Sequence, residues 1–433
     1  MERIYSSELG EYVGSRVRVA GWIHRVRRLS RVSFLILRDA RGLAQIVLDE
    51  SAVAGTIGGL HAESVVAVEG LVVANSQAPM GVEIRDPEVE VISAATAAPP
   101  IDLFRPILNS QLPTLLDHAA LTLRHPRRRA SWQIAAASLS GFRSALGAMG
   151  FVEIHTPKIV GTATEGGANV FTVDYFGRPA YLAQSPQFYK QIMVGVFERV
   201  FEAGPVFRAE PHDTTRHLNE YVSLDAEMGF IRDHTTVMDL LTFTIRGMIE
   251  AVRNQCGEAL GLLDVAIPAV PRTIPAIHFA DALAMVGDAL DEDLSGEPDL
   301  SPAHERWLGE WAAREHGSEF LFVVGYPMVK RPFYTHPDPT RPRYSNSFDL
   351  LFRGLELVTG GQRLHRYDDY VEALAARGQE PGALDGYLEA FRYGMPPHGG
   401  FAIGLERWVA QVAGVANVRE VTLFPRDLQR LAP

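Results

Sequence analysis

The chain has 433 residues, enough for two or three domains, each with its own core. Hydrophobic residues make up 47% and charged residues 21%, an ordinary globular balance, and no run of eighteen apolar residues suggests a membrane span. The net charge of −11 gives no general pull on nucleic acid, and the single cysteine, Cys256, excludes an internal disulfide and a Cys-based zinc site. MERIYSSELGEYVG lacks the layout of a secretory signal, so a reducing cytoplasm is the expected compartment.

From about Val17 to Ile92 the chain reads as five short strands: RVRVAGWIH, VSFLILRD, GLAQIVLD, SVVAVEGLVV and VEIRDPEVEVI. Gly, Asp and Ser/Pro turns separate them, which predicts a small five-stranded OB-type β-barrel over residues 1–95. Such barrels often bind single-stranded nucleic acid on one face, with an exposed aromatic as stacking platform. Phe34 is the candidate, although its strand pattern by itself favours barrel core. Arg25, Arg27, Arg28 and Arg31 form one basic cluster and Arg124, Arg127, Arg128 and Arg129 another. Each reads equally as solvated surface or as phosphate contact.

The Ala/Pro-rich segment 93–100 opens a linker or hinge over residues 96–130, and 131–433 is expected to form a second domain. Trp132, Ile134, Leu139, Phe142 and Leu146 predict a helix from Pro126 to Met149, with Gly150 as its C-cap. Strand-like runs then follow one another (YLAQ, RVFEAGPVFRAE, LNEYVSLDAEMGF, SFDLLFRGLELVTG) without a regular βαβ alternation. An antiparallel sheet flanked by helices is predicted, and the whole is α+β. Neither G-x-x-x-x-G-K-[ST] nor G-x-G-x-x-G is present in the required setting.

Three blocks place charge where strands should be buried. The first holds Arg208, Glu210, Arg216, His217, Glu220 and Tyr221, then Asp225 and Glu227. An ion pair accounts for Arg208 with Glu210, but it accounts poorly for so many charges in twenty residues. The second holds Asp349, Glu356, Thr359 and Arg363; Asp349 and Glu356 suit Mg²⁺ held against a polyphosphate. In the third, Gly399 to Arg407, a glycine-lined strand or turn delivers an arginine at a helix start, good geometry for a phosphate. Lysine is rare: Lys158, Lys190 and Lys330 are the whole set, and arginine does not imitate their compact charge.

These blocks resemble motifs 2 and 3 of the class II aminoacyl-tRNA synthetases, and Phe151–Pro157 after the long helix resembles motif 1. The motifs then fall at about 131–157, 200–229 and 399–412, and the resemblance spans essentially the whole chain. Within the class, Thr164-Glu165-Gly166-Gly167, the run from Gln184 to Lys190, and Gly360-Gly361-Gln362-Arg363 resemble the aspartyl enzymes. The absence of a large insertion and the closing LFPRDLQRLAP resemble their archaeal and eukaryotic type. The resemblance implies a homodimer through motif 1 and substrates ATP, with Mg²⁺, L-aspartate and tRNA.

It assigns ATP to Arg208, Glu210, Arg216, His217, Leu218, Tyr221, Glu356, Gly404 and Arg407. Arg208 would bridge the α-phosphate and the attacking carboxylate, Arg407 with Arg216 or His217 the γ-phosphate end, and Tyr221 would stack on adenine. Asp349, Glu356 and Thr359 would ligate the metal. Aspartate falls to Glu165, Ser185, Gln187, Lys190, Arg208, Asp225, Thr359 and Arg363. Physical chemistry agrees on the pair Lys190 and Arg363, since a β-carboxylate needs positive charge and no acceptor awaiting an amide. On the barrel, the resemblance gives Phe34 the middle anticodon base and Gln45 and Glu83 the base edges. By the resemblance, archaeal-type enzymes strict for tRNA(Asp) carry a bulky aromatic where this chain has His24 and a lysine where it has Pro79. This chain thus resembles the relaxed form, which also charges tRNA(Asn) and supplies an amidotransferase. The alternatives are a strict aspartyl enzyme, an asparaginyl enzyme, an aspartate-amidating paralogue, and an RNA-binding protein with a dead catalytic module.

Overall fold

The computed structural model describes residues 1–29, 32–49, 53–162 and 169–432. The chain divides into two compact units, Met1–His125 and Pro126–Pro433. The division falls inside the stretch read as a linker: residues 96–125 belong to the first unit, and 126–130 open a long helix of the second.

In the first unit the strands are Arg16–Arg28 (β1), Ser33–Arg38 (β2), Leu43–Leu48 (β3), Val65–Ala74 (β4) and Val82–Ser93 (β5). They pair β1–β2–β3–β5–β4, and β4 returns to β1, closing the barrel. Val17, Val19 and Ile23 of β1 meet Leu35, Leu37, Ile46, Val68 and Ile84 inside it. A short strand, Arg3–Ile4, runs parallel beside β1. The register of β1 against β2 slips between Ile23 and Arg25. His24 occupies that bulge, so two consecutive residues, Ile23 and His24, are both buried.

Among the described residues, the main sheet of the second unit has eight strands: Val152–Glu153 (β6), Arg199–Phe207 (β7), Glu220–Gly229 (β8), Ala276–His278 (β9), Phe320–Val324 (β10), Ser347–Phe352 (β11), Leu355–Gln362 (β12) and His398–Gly404 (β13). Their spatial order is β9-β10-β11-β12-β13-β8-β7-β6, antiparallel through the middle and parallel in the outermost pairs. The helices that matter below are Pro126–Ala148 (α1), Gln187–Phe197 (α2), His234–Gln255 (α3), Pro302–His316 (α4) and Leu405–Ala413 (α5). A core joins Ile134, Phe142 and Leu146 of α1, Leu241 and Ile245 of α3 and Trp408 of α5 to Leu224, Phe348 and Phe401 of the sheet. Gly150 closes α1 with φ 77°, as expected of a left-handed cap.

One expected strand is in fact two. SFDLLFRGLELVTG folds back at Arg353-Gly354, whose φ values of 51° and 71° make a two-residue hairpin turn. The hairpin sets Asp349 of β11 opposite Thr359 of β12. Among the described residues, no helix is long and apolar enough to cross a membrane.

Candidate active site

Side chains alternate along β8, so packing Leu224 and Ala226 into the core turns Ser223, Asp225 and Glu227 to the opposite face. On α2, Gln187, Lys190, Gln191 and Val194 are all buried, the i, i+3, i+4, i+7 stripe of one helix face. Lys190 is therefore a core lysine, 1% exposed. Its Nζ stands 2.8 Å from Asp225 Oδ1 and 3.4 Å from Glu227 Oε2, and it donates to the Phe401 carbonyl at 3.3 Å. Arg363, just past β12, donates Nε to Glu227 Oε1 at 3.0 Å and Nη2 to the Gly400 carbonyl at 3.1 Å. Two buried cations and two buried carboxylates thus form one neutral quartet with Glu227 between the cations. Burial alone would raise the Glu227 carboxyl, but Arg363 and Lys190 outweigh it and hold it below the usual range. Only glycine fits at position 400, because a Cβ would overlap both the Glu227 carboxylate and the Ala226 carbonyl.

A neutral hydrogen-bond chain backs this quartet. Arg363 Nη2 reaches Gln187 Oε1 at 3.5 Å, and Gln187 Nε2 donates to Gln191 Oε1 at 2.9 Å. Gln191 Nε2 in turn lies 3.1 Å from the Tyr370 hydroxyl and 3.0 Å from His398 Nε2. Burial lowers His398 to about 4, so the ring is neutral; with Nδ1–H directed to the Pro396 carbonyl, Nε2 is free to accept from Gln191. The Tyr387 hydroxyl donates to the same Gln191 oxygen at 3.0 Å. Every amide in the chain is thereby oriented. The Ser185 hydroxyl accepts the Gln187 N–H at 3.3 Å, at the entrance to α2.

Beside the quartet opens a pocket lined by Arg208, Glu210, Arg216, His217, Leu218, Tyr221, Glu356, Thr359, Gly404 and Arg407, among others. All nine residues that the resemblance assigned to ATP line this one pocket. The Arg208 guanidinium lies 5.9 Å from the Tyr221 ring and 3.6 Å from Glu210. His217 Nδ1 is within 2.5 Å of the Thr214 hydroxyl and its Nε2 is 3.8 Å from Glu210. Burial, and then Arg407, lower the His217 pKa. Glu406 replaces a missing rung: β13 ends at Gly404, and the Glu406 carboxylate takes the Val222 N–H at 3.1 and 3.2 Å.

The expected metal ligands stand on the hairpin. The Thr359 hydroxyl donates to Glu356 Oε1 at 3.4 Å. Asp349 is buried and pushed up to about 6 by desolvation, with Arg331 opposing and Glu356 adding to the rise. Arg331 Nη2 already holds its Oδ1 at 2.9 Å. Among the described residues no group of three His, Cys, Asp or Glu converges as an all-protein cage. Two carboxylates and a hydroxyl are hard oxygen donors that suit Mg²⁺ completed by phosphate oxygens and water.

On the barrel, Phe34 is not core. It is half-buried and lines a groove with Arg25, Arg27, Arg28, Gln45, Asn75 and Gln77. Glu83 is buried and fixed by Gln45 Nε2 at 3.1 Å, Asn75 Nδ2 at 2.7 Å and Arg85. Burial pushes its carboxyl up, but those partners lower it on balance. His24 is buried and does not line that groove. Its Nδ1 lies 3.1 Å from Arg38 Nη1 and its ring 5.2 Å from Phe104, and burial lowers its pKa to about 4. Pro79 starts a one-turn 3₁₀ segment, Pro79–Gly81, and does not line the groove either.

Thr164 to Gly167, Glu165 included, lie outside the described residues. Sequence reasoning gives Glu227 no role beyond its place in a charged block, yet its i, i+2 spacing from Asp225 is a usable signal. Gln191 carries a similar one, four residues past Gln187 on a helix. His398, Arg331 and Glu305 have none, because their contacts come from distant elements.

Residues 111–428 match the family described as tRNA synthetases class II (D, K and N), and residues 17–92 match the OB-fold nucleic acid binding domain. The chain is 46% identical to the aspartate–tRNA(Asp/Asn) ligase of Thermus thermophilus over the whole of both chains. It is 40% identical to the aspartate–tRNA(Asp) ligase of Pyrococcus horikoshii, with 99% of each covered. Among solved structures, asparaginyl-tRNA synthetase from Pyrococcus horikoshii with asparaginyl-adenylate superposes with a TM-score of 0.93 at 31% identity, all of both chains covered.

Proposed function

Because the chain belongs to the class II tRNA synthetases of the D, K and N group, we propose that it activates L-aspartate with ATP and transfers it to tRNA(Asp) and tRNA(Asn). The observation that carries the amino acid is the buried quartet. A β-carboxylate offers acceptors to both Lys190 and Arg363, whereas an amide offers one oxygen and strands its NH₂ against donors. Asp225 supplies negative charge for the α-ammonium, a role that Glu165 would share.

The α-carboxylate is ionised at pH 7, so no base is needed. One of its oxygens attacks the α-phosphorus of ATP, the bond to the β-phosphate oxygen breaks, and diphosphate leaves. The chain's work is alignment and charge. Arg208 bridges the α-phosphate and the attacking carboxylate, Tyr221 stacks on adenine, and Arg407 with Arg216 or His217 holds the terminal phosphate. Asp349, Glu356 and Thr359 would hold Mg²⁺, which when bound neutralises phosphate charge. A 3′-terminal ribose hydroxyl of tRNA then attacks the aspartyl carbonyl, and AMP departs.

Phe34 and Gln45 line the barrel groove and read the anticodon there, while Glu83, the third residue assigned to it, is buried behind and holds Gln45. Relaxed tRNA choice is supported by His24 and Pro79 and by the Asp/Asn ligase that matches at 46%. In this reading the enzyme works in the cytoplasm as a homodimer, and an amidotransferase consumes its Asp-tRNA(Asn). ATP–diphosphate exchange with aspartate and with asparagine tests the first half; stimulation by asparagine alone would overturn it. Arg208→Ala should abolish that exchange while tRNA binding persists. Side-by-side charging of tRNA(Asp) and tRNA(Asn) tests the second half, which fails if tRNA(Asn) is charged no faster than an unrelated tRNA.

A further inference from the structure

Glu305 lies on α4, outside the motif blocks that carry the chemistry. α4 reaches the site because the turn between β11 and β12 seats directly on it. A Cβ at Gly309 would overlap Gly354, and a Cβ at Gly354 would stand 2.8 Å from the Arg306 Cα. That close approach brings Glu305, 6% exposed, against two residues of the phosphate pocket. Its Oε2 accepts Arg216 Nη1 at 3.2 Å and the Glu356 backbone N–H at 3.1 Å. Arg407 bridges the same two residues through their carbonyls: Nε donates to Arg216 O and Nη1 to Glu356 O, each at 3.3 Å. Arg216, Glu356, Arg407 and Glu305 thus close a ring drawn from the loop before β8, from β12, from α5 and from α4.

We propose that Glu305 is a positioning residue for the phosphate end of ATP, holding Arg216 so that this arginine, and not His217, takes the terminal phosphate. The proposal rests on the reading that this pocket binds ATP. A guanidinium has five N–H donors, so one spent on Glu305 leaves others for phosphate. Anchoring also removes, before ATP arrives, the rotamer entropy that a long side chain on a loop would lose on binding. His217 has its Nδ1 engaged by Thr214 and its Nε2 3.8 Å from Glu210, and burial disfavours its charged form.

The test is equilibrium binding of ATP and of AMP, without amino acid, to the parent, E305Q, E305A, R216A and E305A/R216A. E305A should weaken ATP about tenfold, as loss of a charge-assisted anchor implies, and leave AMP within about twofold. E305Q, which keeps a neutral acceptor, should lose about threefold for ATP alone. In the R216A background E305A should add no further loss. Unchanged ATP affinity, equal weakening of AMP and ATP, or additive losses in the double variant would each overturn the proposal. If E305A does not fold, E305Q decides, and an unaltered ATP affinity there refutes it. A parent that fails to bind ATP would instead remove the nucleotide reading beneath it.

Discussion

Replacing Lys190 with Met keeps the bulk of the side chain and deletes its charge, so it separates the lysine's two duties. The first is structural. Asp225 and Glu227 lie 2.8 and 3.4 Å from Nζ, and all three side chains are at most 2% exposed. Removing one partner of a buried ion pair costs about 3–5 kcal/mol, because the stranded charge has no water to turn to. Arg363 still faces Glu227, so the loss falls chiefly on Asp225, and about 3 kcal/mol is expected for K190M. Asp225→Asn added to K190M should return much of that stability by neutralising the stranded group. The second duty is selection. One charge-assisted bond to the β-carboxylate is worth about 1.5–3 kcal/mol, so aspartate activation should fall roughly 10- to 150-fold in kcat/KM. Asparagine, which brings no charge to this end, should lose much less. Denaturant unfolding reads the first effect and diphosphate exchange with both amino acids the second. If K190M is as stable as the parent, or if aspartate and asparagine suffer equally, the quartet does not select as described.

Three further outcomes follow from other parts of the molecule. Burial raises the Glu406 carboxyl from 4.5 to about 7, so the folded chain keeps a proton that the unfolded chain releases in that window. This group therefore makes stability fall as pH rises from 4.5 to 7. Glu406→Gln retains an acceptor for Val222, and should be up to about 3 kcal/mol more stable than the parent at pH 8 and indistinguishable near pH 4.5 in denaturant melts. Gly400→Ala forces a methyl onto Glu227 and Ala226, which should cost about 1–3 kcal/mol and raise the KM for aspartate well before that for ATP. Phe34→Ala should weaken tRNA binding by about 1–3 kcal/mol, measured by filter retention, and leave aspartate-dependent exchange intact.

The chemistry was legible where a residue's neighbours in sequence are also its neighbours in space. Gln187, Lys190 and Gln191 share a helix face, and Ser223, Asp225 and Glu227 share a strand face, so spacing alone places them. Period-two reasoning failed for Phe34 for a physical reason. Leu35, Ile36 and Leu37 are all buried, so β2 has two covered faces beyond its start, and Phe34 stands at the end where the outer face opens. The hairpin at Arg353-Gly354 was missed because arginine is an unusual bearer of positive φ, and a Gly after it reads as a lone bulge.

What escapes a linear reading is the acceptor side of each arginine. Arg216, Arg363 and Arg407 announce themselves as cations within charged blocks, and Arg363 is buried outright. Their partners, however, come from 89 residues away in Glu305, 136 in Glu227 and 191 in the Arg216 carbonyl. Donors that must grip phosphate or carboxylate have to be held still by groups that do not move with the substrate. Those groups therefore lie on other elements, where packing decides which residue faces the site. Glu305 arrives only because Gly309 and Gly354 let α4 touch the hairpin, and no property of its own sequence neighbourhood signals that contact.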